Sequence, residues 1–449
     1  MLFRSRLQVA PRTASFGGVW QGLSWATEDR SAHTAIDRKK LARITELAMC
    51  APEGFSLHRT VQRIVDARRK MAAGEESLDW GCAEMLAFGS LLIDGVPVRL
   101  AGQDSQRGTF AHRHAAWHDV KTGQVHVPLA NMSSDQGEFV VLNTMLSELA
   151  VLGFEYGISS ADPRRLVLWE AQFGDFVNGA QMIIDQFISS AEAKWQRMCG
   201  LVLLLPHGSE GMGPEHSSAR LERFLQLCAK GNMQVAYPTT PAQYFHILRR
   251  QMLRNFHKPL VLMTPKSLLR HKLCVSPVSE LVEGGFQCVI DDVEVDAPAA
   301  VRRVVLCSGK VYYDLLEAQR RAEGNQGRIA LVRVEEIYPF PSAELGQVLA
   351  RYAGAKQVFW VQEEAKNMGA WSFVRPYLED ILSDGCELSY VGRDESASPA
   401  TGSHHIHHNE QREIVEQALD ARAKEVVLST VRRDVAEGVA DRERAGGRM

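Results

Sequence analysis

His216 lies in the part of the sequence where residue types and spacing most clearly suggest chemistry. An apolar run typical of a buried parallel strand ends at Pro206, and a loop with three glycines then leads to His216 at the predicted start of an amphipathic helix. Ligands of open parallel sheets bind beyond the carboxyl ends of the strands, which favours a functional histidine. The alternative is a surface connection in which Ser217 or Ser218 caps the helix.

Glu148 is a second candidate, because it stands at the head of a mostly apolar helical stretch. A carboxylate there could serve only as a partner of the helix dipole in the first turn. Alternatively, Leu149, Val151 and Leu152 could bury it and favour its neutral form, which would let it share a proton with a ring nitrogen of a cofactor. The residues alone leave both possibilities open.

Two aromatic side chains, Phe173 and Phe176, follow a predicted strand at Leu166–Glu170. In a loop at that end of a sheet they could stack on a flat ring. Packing in the apolar core is the alternative, and it is stronger for Phe176 than for Phe173.

A segment between residues 102 and 118 combines imidazoles, guanidinium groups and a carboxylate. Its members are Asp104, Arg107, His112, Arg113, His114 and His118. Such side chains suit zinc or iron, but their spacing does not. On a strand His112 and His114 would face opposite ways, and on a helix only His114 and His118 would share a face. The pattern therefore favours a polar interface or the rim of an active site over a metal site.

A second histidine-rich run lies near the end of the sequence. It consists of His404, His405, His407 and His408. Its composition is that of a metal-binding tract, but we interpret it as a solvated loop.

The composition is that of a globular chain with two or three domains: 449 residues, 45% apolar and 23% charged. A net charge of −3 argues against non-specific nucleic-acid binding, and no run reaches the roughly 18 apolar residues of a membrane span. The eight cysteines form no CxxC pair and are predicted to be reduced, buried packing residues. Arg4, Arg6 and Arg12 fit a mitochondrial transit peptide, although we favour a linker.

Two α/β domains, each built on a doubly wound and mostly parallel sheet, are predicted from apolar runs that alternate with amphipathic helices. Helical periodicity at Asp37–Met71 precedes them, and a glycine-containing acidic segment near 274–299 separates them. The strands predicted in the first domain are Leu166–Glu170, Leu201–Leu205, Met233–Tyr237 and Leu260–Met263. Those predicted in the second begin near Val304, Ile329, Val358 and Leu388, and a helix follows near Ile414–Arg422.

Motifs that hold a diphosphate are not found in this sequence. There is no GxxxxGK[ST], no convincing GxGxxG between strand and helix, and no GDG followed by a later asparagine. Gly174 and Asp175 do not supply the last of these, because Phe176 comes next.

Six motifs carry a resemblance to a known family. They are LWEAQFGDFVNGAQMIIDQFISSAEAKW, LLPHGSEGMGPEHSSARLERFLQLC, PTTPAQYFHILRRQM, MTPKSLLRH, CSGKVYYDLL and GRDESASPATG. Together they closely resemble the carboxy-terminal half of the first, decarboxylating component of 2-oxoglutarate dehydrogenase, a thiamine-diphosphate-dependent enzyme. The resemblance runs from about residue 16 to about residue 418 in matching order and spacing.

The resemblance implies a division of the chain into domains of the transketolase type. Residues 1–77 would be a linker and helical lead-in, 78–275 the pyrimidine-binding domain, 276–300 a linker, 301–422 the transketolase-type carboxy-terminal domain, and 423–449 a tail.

The resemblance also implies roles for individual residues. Glu148 matches the glutamate that hydrogen-bonds the aminopyrimidine ring of the cofactor, and His216 matches a catalytic histidine near the reacting centre. Gln172, Phe173 and Phe176 would lie against the pyrimidine, although the resemblance does not decide which phenylalanine stacks on it. It assigns no metal ligand to this chain.

In this family another domain holds the diphosphate and its magnesium ion, and the site forms between subunits. The resemblance therefore implies that this chain is inactive without a pyrophosphate-binding domain or subunit. Its other expected partners are 2-oxoglutarate and the lipoyl-bearing succinyltransferase, in a homodimer or hetero-oligomer of the cytoplasm or the mitochondrial matrix. The alternative is a truncated, non-catalytic scaffold that dimerises with a related enzyme.

Overall fold

A computed structural model describes residues 17–27, 29–322, 327–383 and 385–420. The first helices are α1 (Arg38–Ala48), α2 (Arg59–Ala73) and α3 (Trp80–Ile93). The Asp37 carboxylate accepts hydrogen bonds from the amides of Lys39 and Lys40 and so starts α1, whereas Gly74 ends α2 in the left-handed conformation. The amino-terminal arginines and the tail predicted at 423–449 lie outside the described residues.

Parallel strands form the first sheet, and a short antiparallel ribbon is inserted between two of them in the chain. The sheet strands are β1 (Val98–Gly102), β4 (Phe139–Asn143), β5 (Leu166–Glu170), β6 (Val202–Pro206), β7 (Gln234–Ala236) and β8 (Leu260–Thr264), and the ribbon is β2 (Trp117–His118) and β3 (Val125–His126). Their spatial order is β7-β8-β6-β5-β1-β4. Every residue of β5 to β8 is buried, as expected for parallel strands that are covered on both faces.

Helices connect these strands or follow the last of them. They are α4 (Glu148–Ala161), α5 (Gln181–Ile183), α6 (Ala191–Trp195), α7 (Leu221–Leu227), α8 (Pro241–Leu253) and α9 (Ser279–Glu283). Two 3-10 segments, Gly174–Ala180 and Pro214–His216, complete the loops after β5 and β6.

The carboxy-terminal part of the chain has the alternating strands and helices predicted for it. Its elements are β9 (Val289–Ile290), β10 (Arg303–Cys307), α10 (Val311–Arg321), β11 (Ile329–Val334), β12 (Glu336–Tyr338), α11 (Ser342–Arg351), β13 (Gln357–Ala365), α12 (Trp371–Ile381), β14 (Glu387–Arg393) and α13 (His404–Leu419). The second sheet has the order β14-β13-β10-β11-β9, and all its pairs except that of β9 are parallel. The predicted fold class is confirmed.

Two short strands cross the predicted boundaries between domains. β12 follows the second-sheet strand β11 in the chain, yet it pairs antiparallel with β7 of the first sheet, where Glu336 lies opposite Ala236 and Tyr338 opposite Val235. β9 lies within the predicted 276–300 linker and pairs with β11. The linker therefore contributes to the second sheet, and β12 joins the two halves of the chain.

The histidine run is helical, so the expectation of a loop was wrong. The Ser403 hydroxyl accepts a hydrogen bond from the Ile406 amide and starts α13 at His404, ahead of the helix predicted near Ile414. His407 is buried, whereas the other three histidines are exposed.

The eight cysteines are free thiols, as predicted, but they are not all buried. Cys50 is exposed because it follows the end of α1, while burial raises the pKa of Cys199 and of Cys274 to about 12. None of the described helices is both long and apolar enough to cross a bilayer.

Candidate catalytic crevice

The candidate site lies where the strands of the first sheet end. Asp104 follows β1, Gln172 follows β5, His207 follows β6 and Lys266 follows β8. Because these strands are parallel, their carboxyl ends meet at one edge of the sheet, which is where ligands of such folds bind.

Glu148 is the first residue of α4, where its carboxylate faces the positive end of the helix dipole. Its side chain is half-buried, and Oε1 lies 3.4 Å from Nε2 of Gln103. On the other side, a Cβ built on Gly179 would lie 3.7 Å from Oε2. Val151 and Leu152 are buried in the same helix, but the described residues do not bury Glu148 itself.

Phe173 and Phe176 pack edge-on against the His216 ring. The ring centroids of Phe173 and His216 are 4.4 Å apart, and those of Phe176 and His216 are 6.0 Å apart. Both phenylalanines are half-buried, so neither belongs to the apolar core. His216 lies in the 3-10 turn Pro214–His216, and not at the start of a helix as predicted, because α7 begins only at Leu221.

The serines after His216 do not cap α7, whose N-cap residue is Arg220. The Ser217 hydroxyl donates to the Gly213 carbonyl at 2.8 Å. The amides of Ser217 and Ser218 donate to Oδ1 of Asp175 at 3.1 and 3.0 Å. Asp175 belongs to the turn that carries Phe173 and Phe176. Its carboxylate therefore holds the loop of His216 against that turn.

A close backbone approach accounts for Gly174 between Phe173 and Asp175. A Cβ at this position would lie 2.5 Å from the Ala219 Cβ and 2.5 Å from the Pro206 carbonyl oxygen. Only glycine therefore allows the aromatic turn to lie so close to the loop of His216. Gln172, just before this turn, is half-buried at the end of β5.

A cavity of about 730 Å³ opens at the same edge of the sheet. Among its lining residues are His58, Arg68, Asp79, Asp104, Arg107, His112, His114, His118 and Arg270. His118 lies in β2, but between β1 and β2 the segment that supplies most of these residues is neither strand nor helix, contrary to the geometry assumed for it. Ala111 and His114 have φ values of 52° and 49°. Five of the six charged and polar residues singled out in this segment line the cavity, and Arg113 does not.

The cavity is lined by cationic side chains and by a neutral histidine, His112. Burial, reinforced by the charge of Arg113, lowers the pKa of His112 to about 3, so its ring is neutral. Nη2 of Arg113 lies 3.4 Å from His112 Nε2 and can only donate, which leaves the ring proton on Nδ1. This buried Nδ1 has no hydrogen-bond partner among the described residues. Arg68 is also buried, and its guanidinium group donates to the carbonyls of Arg113 and His112 at 3.0 and 2.7 Å. The exposed guanidinium groups of Arg107 and Arg270 line the cavity and can donate to an anionic ligand.

Arg113, the sixth residue, turns away from the cavity into the protein. Its guanidinium group binds Glu84 through Nε at 2.6 Å and Nη2 at 3.0 Å, and Glu170 through Nη1 at 2.7 Å and Nη2 at 2.6 Å. The Tyr244 hydroxyl donates to Glu84 at 2.8 Å, and the Ser105 carbonyl accepts from Arg113 at 2.9 Å. This buried network supports the floor of the site.

Lys266 is a residue that the sequence analysis missed. Its buried ammonium group donates to the Gly208 carbonyl at 2.9 Å and to the carbonyl of His216. It thereby joins both ends of the loop that carries His216. Its position directly after an apolar strand, at the ligand-binding edge of a parallel sheet, could have indicated it.

We expect Lys266→Met to loosen the loop of His216 without unfolding the protein. The variant loses two hydrogen bonds from a charged donor but keeps an apolar side chain of similar length. At about 1 kcal/mol for each bond, amides of residues 208–217 should exchange with deuterated solvent about tenfold faster or more. Hydrogen exchange read by mass spectrometry measures this. Lys272→Met, at an exposed lysine, is the control, and equal exchange in both variants would contradict the role.

The loop is also held by the second half of the chain. The Ala219 amide donates to Nδ1 of His207 at 2.9 Å, so the ring proton lies on Nε2 and faces Glu364 Oε1 at 2.6 Å. Glu364 lies on β13 of the second sheet. The start of the loop that carries His216 therefore depends on a contact between the two sheets.

The buried histidine of α13 packs on the same loop. Nδ1 of His407 lies 3.4 Å from the Ser209 hydroxyl. Gly211 has a φ of 73°, and a Cβ there would lie 2.9 Å from Cδ2 of His404 and 3.0 Å from Cδ2 of His407. In the described part of the chain, no group of three or more His, Cys, Asp or Glu side chains is arranged to hold a metal ion.

Comparison with known families agrees with this architecture. Residues 76–272 match the model of the transketolase pyrimidine-binding domain. Residues 275–419 match the model of the 2-oxoglutarate dehydrogenase carboxy-terminal region.

Curated relatives match nearly the whole chain. The 2-oxoglutarate dehydrogenase E1 component of Cupriavidus necator is 53% identical over 403 residues, which are 89% of this chain and 42% of the relative. The proteins of the same name from Brucella anthropi and Brucella ovis are 53% and 52% identical over 419 residues, which are 90% of this chain and 42% and 41% of the relatives. The chain thus spans less than half the length of these relatives. It belongs to the family of 2-oxoglutarate dehydrogenase E1 components.

Proposed function

We propose that this chain supplies the pyrimidine side of a thiamine diphosphate site in a 2-oxoglutarate dehydrogenase. The observation that carries the proposal is the grouping of Glu148, Phe173, Phe176 and His216 at one sheet edge, next to a cavity lined by cations. A half-buried carboxylate beside half-buried aromatic rings suits a flat heterocycle with a basic ring nitrogen.

Each of these residues has a distinct role in the proposal. When bound, thiamine diphosphate supplies the nucleophilic carbon that decarboxylation of a 2-oxo acid requires. Glu148 holds a proton at a ring nitrogen of the aminopyrimidine. Phe173 or Phe176 contacts the face of that ring, and Gln172 lies beside it. His216, held by both phenylalanines, is the candidate acid or base near the reacting atoms.

The cavity supports a dicarboxylate as substrate. Arg68, Arg107 and Arg270 bring positive charge to its wall, and the exposed Arg107 and Arg270 can reach a bound ligand. Guanidinium groups bind carboxylates strongly because several N–H groups point at the same anion. 2-Oxoglutarate carries two carboxylates, so we place its recognition here and expect pyruvate to bind more weakly.

An apolar surface next to Glu148 supports a covering domain. Met145 is fully exposed, and Leu146, Phe154 and Met182 are 48%, 54% and 58% exposed. Clustered apolar side chains of this size mark an interaction surface. We propose that a pyrophosphate-binding domain or subunit packs here, buries Glu148, and brings the groups that hold the diphosphate and magnesium.

The remaining partners follow from the proposed reaction. The succinyl product would pass to the lipoyl group of the succinyltransferase, and the active assembly would be a homodimer or hetero-oligomer. The relatives are bacterial, so we place the reaction in the cytoplasm.

The deciding assay is decarboxylation by this chain assembled with a pyrophosphate-binding domain. We expect turnover of 2-oxoglutarate, little turnover of pyruvate, and transfer to the lipoyl domain of the succinyltransferase. Assembly without any turnover of 2-oxoglutarate would instead favour a non-catalytic scaffold.

This chain alone should bind thiamine diphosphate weakly and with little dependence on magnesium. Ring contacts and one hydrogen bond to Glu148 contribute on the order of 1 kcal/mol each, against an association cost of about 4 kcal/mol or more. Calorimetry with and without magnesium measures this. Tight, magnesium-dependent binding would mean that the chain itself holds a diphosphate site.

A further inference from the structure

The first two turns of α13 place two imidazole rings edge-on to each other at the surface. Nε2 of His404 and Nε2 of His408 are 3.2 Å apart, and the ring centroids are 4.2 Å apart. Residues four apart lie on one face of a helix, so the backbone holds the pair in place. Both side chains are exposed, unlike that of His407 between them.

We propose that His404 and His408 form a surface binding site for one divalent transition-metal ion. Imidazole nitrogen suits Cu²⁺, Ni²⁺ and Zn²⁺. With metal–nitrogen bonds of about 2.0–2.1 Å, a separation of 3.2 Å between the two Nε2 atoms gives an angle of roughly 100° at the metal. This value lies between the angles of octahedral and tetrahedral coordination, so neither ring has to move far.

The metal-free pair needs little rearrangement to bind. Without a metal, one Nε2–H donates to the other Nε2, and a shift of that proton to Nδ1 frees both Nε2 lone pairs. No cluster of three or more His, Cys, Asp or Glu side chains surrounds a common point in the described residues, so water fills the other positions. The site is therefore open, and Cu²⁺ should bind more tightly than Ni²⁺ or Zn²⁺.

This site lies apart from the proposed cofactor site but borders its loop. Gly211, in the loop that leads to His216, approaches the His404 ring so closely that a Cβ would lie 2.9 Å from Cδ2. The inference does not depend on the proposed function, because it concerns residues to which that function assigns no role.

Titration calorimetry of this chain with Ni²⁺ and with Cu²⁺ tests the site. The Cys50→Ser background removes the exposed thiol as a competing ligand. We expect one site in this protein, with affinity about tenfold or more lower in His404→Ala and in His408→Ala, since each variant loses the second, intramolecular ligand. His405→Ala is the matched control, because His405 is exposed in the same turn but lies on another face.

A second readout separates loss of the site from loss of folding. Ni²⁺ should raise the melting temperature of the parent protein and of His405→Ala, but not that of His408→Ala, because the ion binds the folded pair. Equal affinity in the parent and His408→Ala would overturn the proposal. So would an equal loss of affinity in His405→Ala.

Discussion

Replacing Glu148 by Gln should remove most of the activity of the assembled enzyme while leaving the fold intact. The amide matches the carboxyl group in shape but cannot hold or release a proton at the pyrimidine nitrogen. Proton transfer by a positioned group contributes about 10²- to 10⁴-fold to a rate, so we expect the turnover number to fall by about that factor. The assay is decarboxylation of 2-oxoglutarate by this chain assembled with a pyrophosphate-binding domain.

Glu215→Gln is the matched control for this substitution. Glu215 is an exposed carboxylate one residue before His216, and the proposal gives it no role in the reaction. Its variant should keep nearly full turnover. If Glu148→Gln were as active as Glu215→Gln, the proposed role of Glu148 would be wrong, although the family assignment would stand.

The second large effect concerns stability. Arg113→Met should lower the free energy of unfolding by about 3–5 kcal/mol, because it leaves Glu84 and Glu170 buried without the cation that binds both. Burial alone would raise the pKa of Glu84, but Arg113 outweighs it and holds that pKa below its usual value. Urea unfolding followed by circular dichroism measures the change.

Arg107→Met is the control, because Arg107 is exposed and its ion-pair partner among the described residues is Asp104, three residues earlier. Such surface pairs contribute about 1 kcal/mol or less. Adding Glu84→Gln and Glu170→Gln to Arg113→Met should restore part of the lost stability, since fewer unpaired charges remain buried. Equal unfolding midpoints for Arg113→Met and Arg107→Met would show that the network does not stabilise the fold.

The strands that were predictable are those whose residues are all buried. β5 to β8 read as apolar runs because both faces are covered, and the predicted ends differ from the observed ones by one residue at most. β1 was missed because Arg99 interrupts its apolar pattern, and the structure pairs Arg99 with Glu155 of α4 at 2.7 Å. β4, at the sheet edge, has exposed residues at its end. β9 and β12 are too short to give a pattern.

The site was partly predictable for a similar reason. Phe173, Phe176 and His216 each follow a strand. Because the strands of a parallel sheet end at the same edge, their proximity could be predicted. The position of Lys266 after β8 could have indicated that it lies at this edge, but its bonds to two carbonyls of the loop depend on tertiary structure. The contact of Glu364 with His207 joins the two sheets, and no local pattern shows it. The catalytic and cofactor-binding roles of Glu148, Gln172 and the aromatic residues stay predictions.

The antiparallel pairing of β12 with β7 has a consequence for how the protein can be divided. A fragment ending at residue 272 would match the pyrimidine-binding family model, but it would lack Glu336–Tyr338. β7, whose three residues are buried in the intact chain, would then present free amides and carbonyls to solvent. An unprotected apolar edge of this kind recruits strands from other molecules, so such a fragment is prone to self-association.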